Sequence, residues 1–136
     1  MSIINLEQIR AARALGEVQD ILQKRQKEGG GDQVSGYHSL IITNGLLCTL
    51  AYSADKDGEH RLIAEALMRH IASLQQQGLL PGTPISPGKG LLTVIGELAE
   101  SNDNTLLSII TQEALAYLNY LKRFIRADKT KQPPNA

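Results

Sequence analysis

The chain has 136 residues, enough for one domain with a real core and too few for two ordinary ones. Fourteen Lys and Arg balance fourteen Asp and Glu, so no global field draws it to nucleic acid or membrane, although a neutral total leaves room for a basic face. Four Tyr, one Phe and no Trp among abundant Leu, Ile, Ala and Gln favour helix over sheet, since strands are enriched in aromatic and β-branched residues.

The first element spans residues 4 to 28. Ile4, Ala11, Leu15, Val18 and Leu22 recur at helical spacing, and Ala14 and Ile21 widen the stripe. The opening "MSIINLEQIR" lacks the basic leader and apolar run of a signal peptide, and together with the absence of a bilayer-length apolar segment this reads as a cytoplasmic chain with no membrane span. The helix closes in "KRQKEGGGD", where cations suit the C-terminal dipole and the glycines are expected to form a flexible loop.

The next segment, from about residue 34 to 54, poses a choice. Asn44-Gly45 between apolar runs is the strongest short-range signal for a β-hairpin turn. Tyr37, Leu40, Ile41, Leu47, Cys48, Leu50, Tyr52 and Ala54 equally fit a helix that is apolar on most faces. A lone hairpin would have no third strand to support it. The helical reading therefore wins, with Gly45 as a small notch that costs about 1 kcal/mol and lets a neighbouring backbone pack close. Cys48, the single cysteine, permits no internal disulfide and reads as a small core residue.

"SADKDGEH" is a turn, and residues 59 to 77 form a further helix with Leu62, Ala66, Ile71 and Leu74 among its buried candidates. "GLLPGTPISPGKG" holds three of the five prolines and is a loop. "LLTVIGELAE" forms a short helix. After an "SNDN" cap region, Leu107, Ile110, Ala114, Tyr117, Leu118, Leu121 and Ile125 make one continuous apolar seam. The expected fold is all-α, a compact bundle of about five helices, with one domain over residues 1–128 and a disordered tail over 129–136.

Catalytic motifs are missing. "GTPISPGKG" only approximates a phosphate-binding P-loop: its second glycine stands one place too far from Gly82, Pro87 stiffens it, and Gly90 replaces the magnesium-binding hydroxyl. His38, His60 and His70 offer no i, i+4 pair for a metal and read as surface or half-buried residues. No Ser, Cys or Thr comes with a recognisable base, so no enzyme, metal or cofactor is expected. Ten of the fourteen cations fall in two clusters: Arg10, Arg13, Lys24, Arg25 and Lys27, then Lys122, Arg123, Arg126, Lys129 and Lys131. They read either as helix-end cations that aid solubility or as a phosphate-binding face.

Three stretches, "LEQIRAARAL", "YHSLIITNGLLCTLAY" and "TQEALAYLNYLKRFIRA", together resemble the small helical subunit of the type III-B CRISPR effector, the Cmr complex. The match lies at Arg10-Ala11 and Ala14-Leu15, at Asn44-Gly45-Leu46, and at Glu113-Ala114-Leu115 with Leu121-Lys122-Arg123-Phe124, in the family's order and approximate spacing from residue 6 to 127. Tyr120 stands where family members often carry Trp, and the GGG loop and residues 78–90 match nothing in particular. The resemblance implies a non-catalytic helical bundle whose copies stack head to tail beside the backbone and large subunits. Target-RNA cutting would belong to the backbone subunit, and this chain would line the path where target RNA pairs with CRISPR RNA in antiviral defence. Arg10, Arg13, Lys122, Arg123 and Arg126 are the expected RNA-backbone contacts. Asn44 is a further candidate whose side chain alternatively caps or bridges helices. A small subunit of a related type III-A or type I effector, and a protein–protein adaptor with no RNA contact, are the competing readings.

Overall fold

A computed structural model describes residues 5–24, 30–55 and 58–130. Six α-helices and one short 3₁₀ turn, Pro87–Lys89, make up this part of the chain, with no strand among the described residues. The helices are α1 (Leu6–Lys24), α2 (Gly30–Asn44), α3 (Leu46–Ala54), α4 (Glu59–Gln76), α5 (Leu91–Glu100) and α6 (Asn104–Thr130). The all-α expectation holds. The count is six rather than about five because the second predicted segment is two helices.

Gly45 makes the division. Its φ of 90° and ψ of 160° belong to a backbone region open essentially to glycine alone. Its N–H donates to the Ile41 carbonyl at 2.8 Å, completing α2. Its own carbonyl accepts from the Thr49 N–H at 3.2 Å and from the Thr49 hydroxyl at 2.8 Å, opening α3. Asn44-Gly45 is thus neither a hairpin turn nor a notch in one helix, but a corner between two. Nothing lies within 4 Å of where a Cβ would stand, so the glycine is there for its dihedral angles and not for a close backbone approach.

Asn5 caps α1, its side-chain oxygen accepting from the Glu7 N–H at 2.8 Å. The buried stripe of α1 is Ala14, Val18 and Ile21, at four- and three-residue steps. Leu15, expected on that stripe, lies one position round the helix and is 60% exposed. The "GGGD" stretch was expected to be loop, yet Gly30 and Gly31 open α2; residues 25–29 lie outside the described part. Asp103 caps α6 by accepting from the Leu106 N–H at 2.9 Å. α6 continues to Thr130, two residues into the span expected to be tail, and residues 131–136 lie outside the described part.

α6 forms the spine of the bundle. It packs against α1, α2 and α4, while α3 packs mainly on α5 and α4 touches every other helix. Ile110, Ala114, Tyr117, Leu118, Leu121 and Ile125 of α6 are fully buried, as the seam predicts. α4 is buried through Ile63, Leu67, Met68, Ile71 and Leu74. Each such side chain contributes about 1.5–3 kcal/mol on leaving water. Cys48, read as core, is instead exposed on the outer face of α3.

Candidate nucleic-acid interface

The expected site residues fall on α1, α6 and the end of α2, and the packing sorts them into different settings. Arg10, on α1, faces Glu113 of α6. Its Nε and Nη2 each donate to one carboxylate oxygen at 2.7 Å, and Glu113 is almost wholly buried. His70 of α4 donates from Nε2 to the same carboxylate at 2.9 Å, and its ring stacks on Tyr117 with centroids 4.4 Å apart. Burial pushes the Glu113 carboxyl up, but the hydrogen bonds from Arg10 and His70, with the Arg10 charge, outweigh it and hold the group below its ordinary range. The same hydrogen bond raises Arg10. Arg10 therefore meets a partner that neutralises it.

His70 is 1% exposed, so the surface or half-buried reading of this histidine is corrected. Sequence reasoning also missed Glu113 as a structural anion. A signal was present: each polar residue sits inside a buried stripe, Glu113 three residues after Ile110 and four before Tyr117, His70 four before Leu74. A titratable group at such a position demands a buried partner.

Arg13 lies one turn beyond Arg10 and is half-buried. It lines a pocket with Glu17, Arg69, His70 and Tyr117, away from solvent-facing α6 cations. Lys122 and Arg126 lie on the side of α6 that meets α2. Burial and then the charge of Lys122 lower His38, and Arg126 donates to the Ser35 hydroxyl at 3.2 Å. Arg123 is exposed and shares a shallow surface with Asn119 and Tyr120. Tyr120 in turn packs near Phe124, with ring centroids 6.0 Å apart, and is raised by its hydrogen bond with Glu7 of α1. The field of Arg10 also reaches Tyr120. Tyr120 thus stands between Arg123 on α6 and Glu7 on α1, while Arg10 is held by Glu113. Asn44 is exposed at the end of α2, and no described hydrogen bond or ion pair links it to any of the cations. Lys24, Arg25, Lys27, Lys129 and Lys131 lie outside the described side chains.

The Arg123 guanidinium beside the Tyr120 ring is chemically suited to phosphate contact and to stacking on an unpaired base. No cluster of three or more His, Cys, Asp or Glu that could hold a metal occurs among the described residues. No described helix is long and apolar enough to cross a membrane. Residues 6–128 match the family model described as CRISPR-associated protein (Cas_Cmr5). No curated protein matches the chain.

Proposed function

The chain belongs to the CRISPR-associated Cas_Cmr5 family, and from that premise we propose that it is a non-catalytic structural subunit of a Cmr-type ribonucleoprotein that helps hold target RNA paired to CRISPR RNA. The observation that carries the RNA part of this reading is exposed Arg123 on α6, which shares a shallow surface with Asn119 and Tyr120, the latter packed near Phe124. Lys122 and Arg126 add charge on the side of α6 that meets α2. Base pairing reads the target sequence, so the protein needs only backbone contacts. Copies that stack without closing into a ring repeat those contacts along one strand, and each copy then needs few. A chain of zero net charge with one cationic face suits this task, because it avoids indiscriminate binding while free.

The test is target-RNA affinity of the reconstituted complex at two salt concentrations, wild type against Lys122→Ala/Arg123→Ala/Arg126→Ala. The triple variant keeps its fold, since surface substitutions move stability by about 0.5 kcal/mol or less each. It binds more weakly, and its salt slope is shallower by about two, the contribution of three phosphate contacts on a single strand. Equal affinity with an equal slope removes these residues from the RNA path and leaves the adaptor reading.

A further inference from the structure

A concavity on the outer side of α6 measures about 370 Å³ and is lined by Ala116, Asn119, Tyr120 and Arg123. That volume falls at the lower end of the roughly 300–1,000 Å³ of small-ligand clefts. The four positions are linked by three- and four-residue steps, so they occupy one stripe of the helix. Side chains on a helix lean towards its N-terminus. Tyr120 therefore leans over the turn of Ala116, whose methyl group leaves room beside it, and Arg123 leans towards Asn119 and Tyr120.

Tyr120 is held as a platform. Its hydroxyl donates to the Glu7 carboxylate of α1, and Phe124, one turn on, stands beside the ring with centroids 6.0 Å apart. A ring fixed at its tip and flank gives up little freedom when something stacks on it.

The lining selects a flat guest with one charged end. An aromatic ring favours a flat, π-rich group. The exposed Arg123 guanidinium offers a fork of donors to an anion. Asn119, also exposed, brings a donor and an acceptor beside them. At the α1 end Glu7 repels an anion, and Arg10 there is committed to Glu113. A bare phosphate satisfies only one part of this lining, and an uncharged heterocycle only the other. A nucleotide uses both.

We propose that this surface binds one unpaired nucleotide of an RNA single strand, its base stacked on Tyr120, its phosphate held by Arg123 and its base edge at Asn119. The inference rests on the RNA reading above and adds to it the state of the strand. A base inside a duplex has both faces covered by its neighbours and cannot stack here. The nucleotide that this chain holds therefore stands outside the guide–target duplex.

The experiment is an NMR titration of the full chain with a short oligouridylate, with an abasic oligoribonucleotide of the same length, and with the oligouridylate annealed to its complement. The single strand shifts the Tyr120 ring and Asn119 amide resonances saturably. It binds about tenfold more tightly than the abasic strand, the scale of one base on one aromatic ring. The duplex gains nothing over the abasic strand. Tyr120→Leu erases the difference between single and abasic strands, Tyr120→Phe keeps it because the ring remains, and Tyr120→Trp widens it. Arg123→Gln, at an exposed position, weakens both strands alike. Equal binding of single and abasic strands, or an undiminished difference in Tyr120→Leu, overturns the inference. Should Tyr120→Leu lose its fold, the Trp variant decides, and a difference that it leaves unwidened overturns the inference. If neither strand binds, the inference falls, while the salt comparison in the reconstituted complex judges the RNA reading separately.

Discussion

Arg10 and Glu113 are 103 positions apart in the chain and meet through two parallel hydrogen bonds of 2.7 Å each. The pair fastens the first helix to the last, and His70 adds the fourth helix to the same carboxylate. Arg10→Ala leaves a buried carboxylate with only the imidazole to satisfy it. The expected loss is about 3 kcal/mol, the scale of breaking a buried pair from one side, read from the urea midpoint by circular dichroism.

The same contact dictates an acid dependence. Glu113 titrates below its ordinary range in the folded protein, so the unfolded chain binds a proton first as pH falls. Its contribution is complete above the unfolded carboxylate value and drains away as pH drops through the lower folded value. Stability should therefore decline below about pH 5, and Arg10→Ala should decline with a smaller slope. Urea titrations across that interval give both slopes.

Gly45→Ala puts a side chain where φ is 90° and ψ is 160°. No neighbour lies within 4 Å to clash, so the cost is purely that of the backbone conformation, about 1–3 kcal/mol. A loss of that size, with helix content unchanged in the far ultraviolet, identifies a strained corner. A neutral result would mean that α2 and α3 can join into one straight helix.

At the other end of the pH scale, Tyr37 is the sensitive group. The Ser53 hydroxyl donates to the Tyr37 oxygen at 2.7 Å and also lies 2.9 Å from the Thr49 carbonyl, so the buried phenol oxygen has an acceptor role that favours its ionised form. Burial, opposed by that hydrogen bond, pushes the Tyr37 phenol up to about 12. The folded state resists losing a proton that the unfolded chain gives up near pH 10. The associated stability is present below that value and is lost as pH rises towards 12. Tyr37→Phe should flatten this alkaline decline and cost about 1 kcal/mol at neutral pH.

Helical periodicity made α1, α4, α5 and α6 legible because their apolar residues recur on one face against polar ones. It could not place the α2–α3 corner, since a run apolar on most faces carries almost no phase, and the deciding quantity, the φ of Gly45, is not a property of hydropathy. Leu15 misled because it sits beside the true stripe of Ala14 and Val18, within the angular tolerance of the pattern. The cations of the candidate face were visible as a cluster. Their different fates were not: Arg10 is spent on Glu113, whereas Arg123 faces outward, and only tertiary contact distinguishes them.

The position of α6 has a consequence for how the molecule is made. α1, α2 and α4 all rest on a helix that follows them in the chain, so each leaves the ribosome with its apolar face uncovered. The nascent chain must hold α1 in waiting until Glu113, 103 positions further on, has been made. At about 5–20 residues per second that exposure lasts several seconds, long enough for chaperones to engage. The earlier helices thus depend on a later one for their burial.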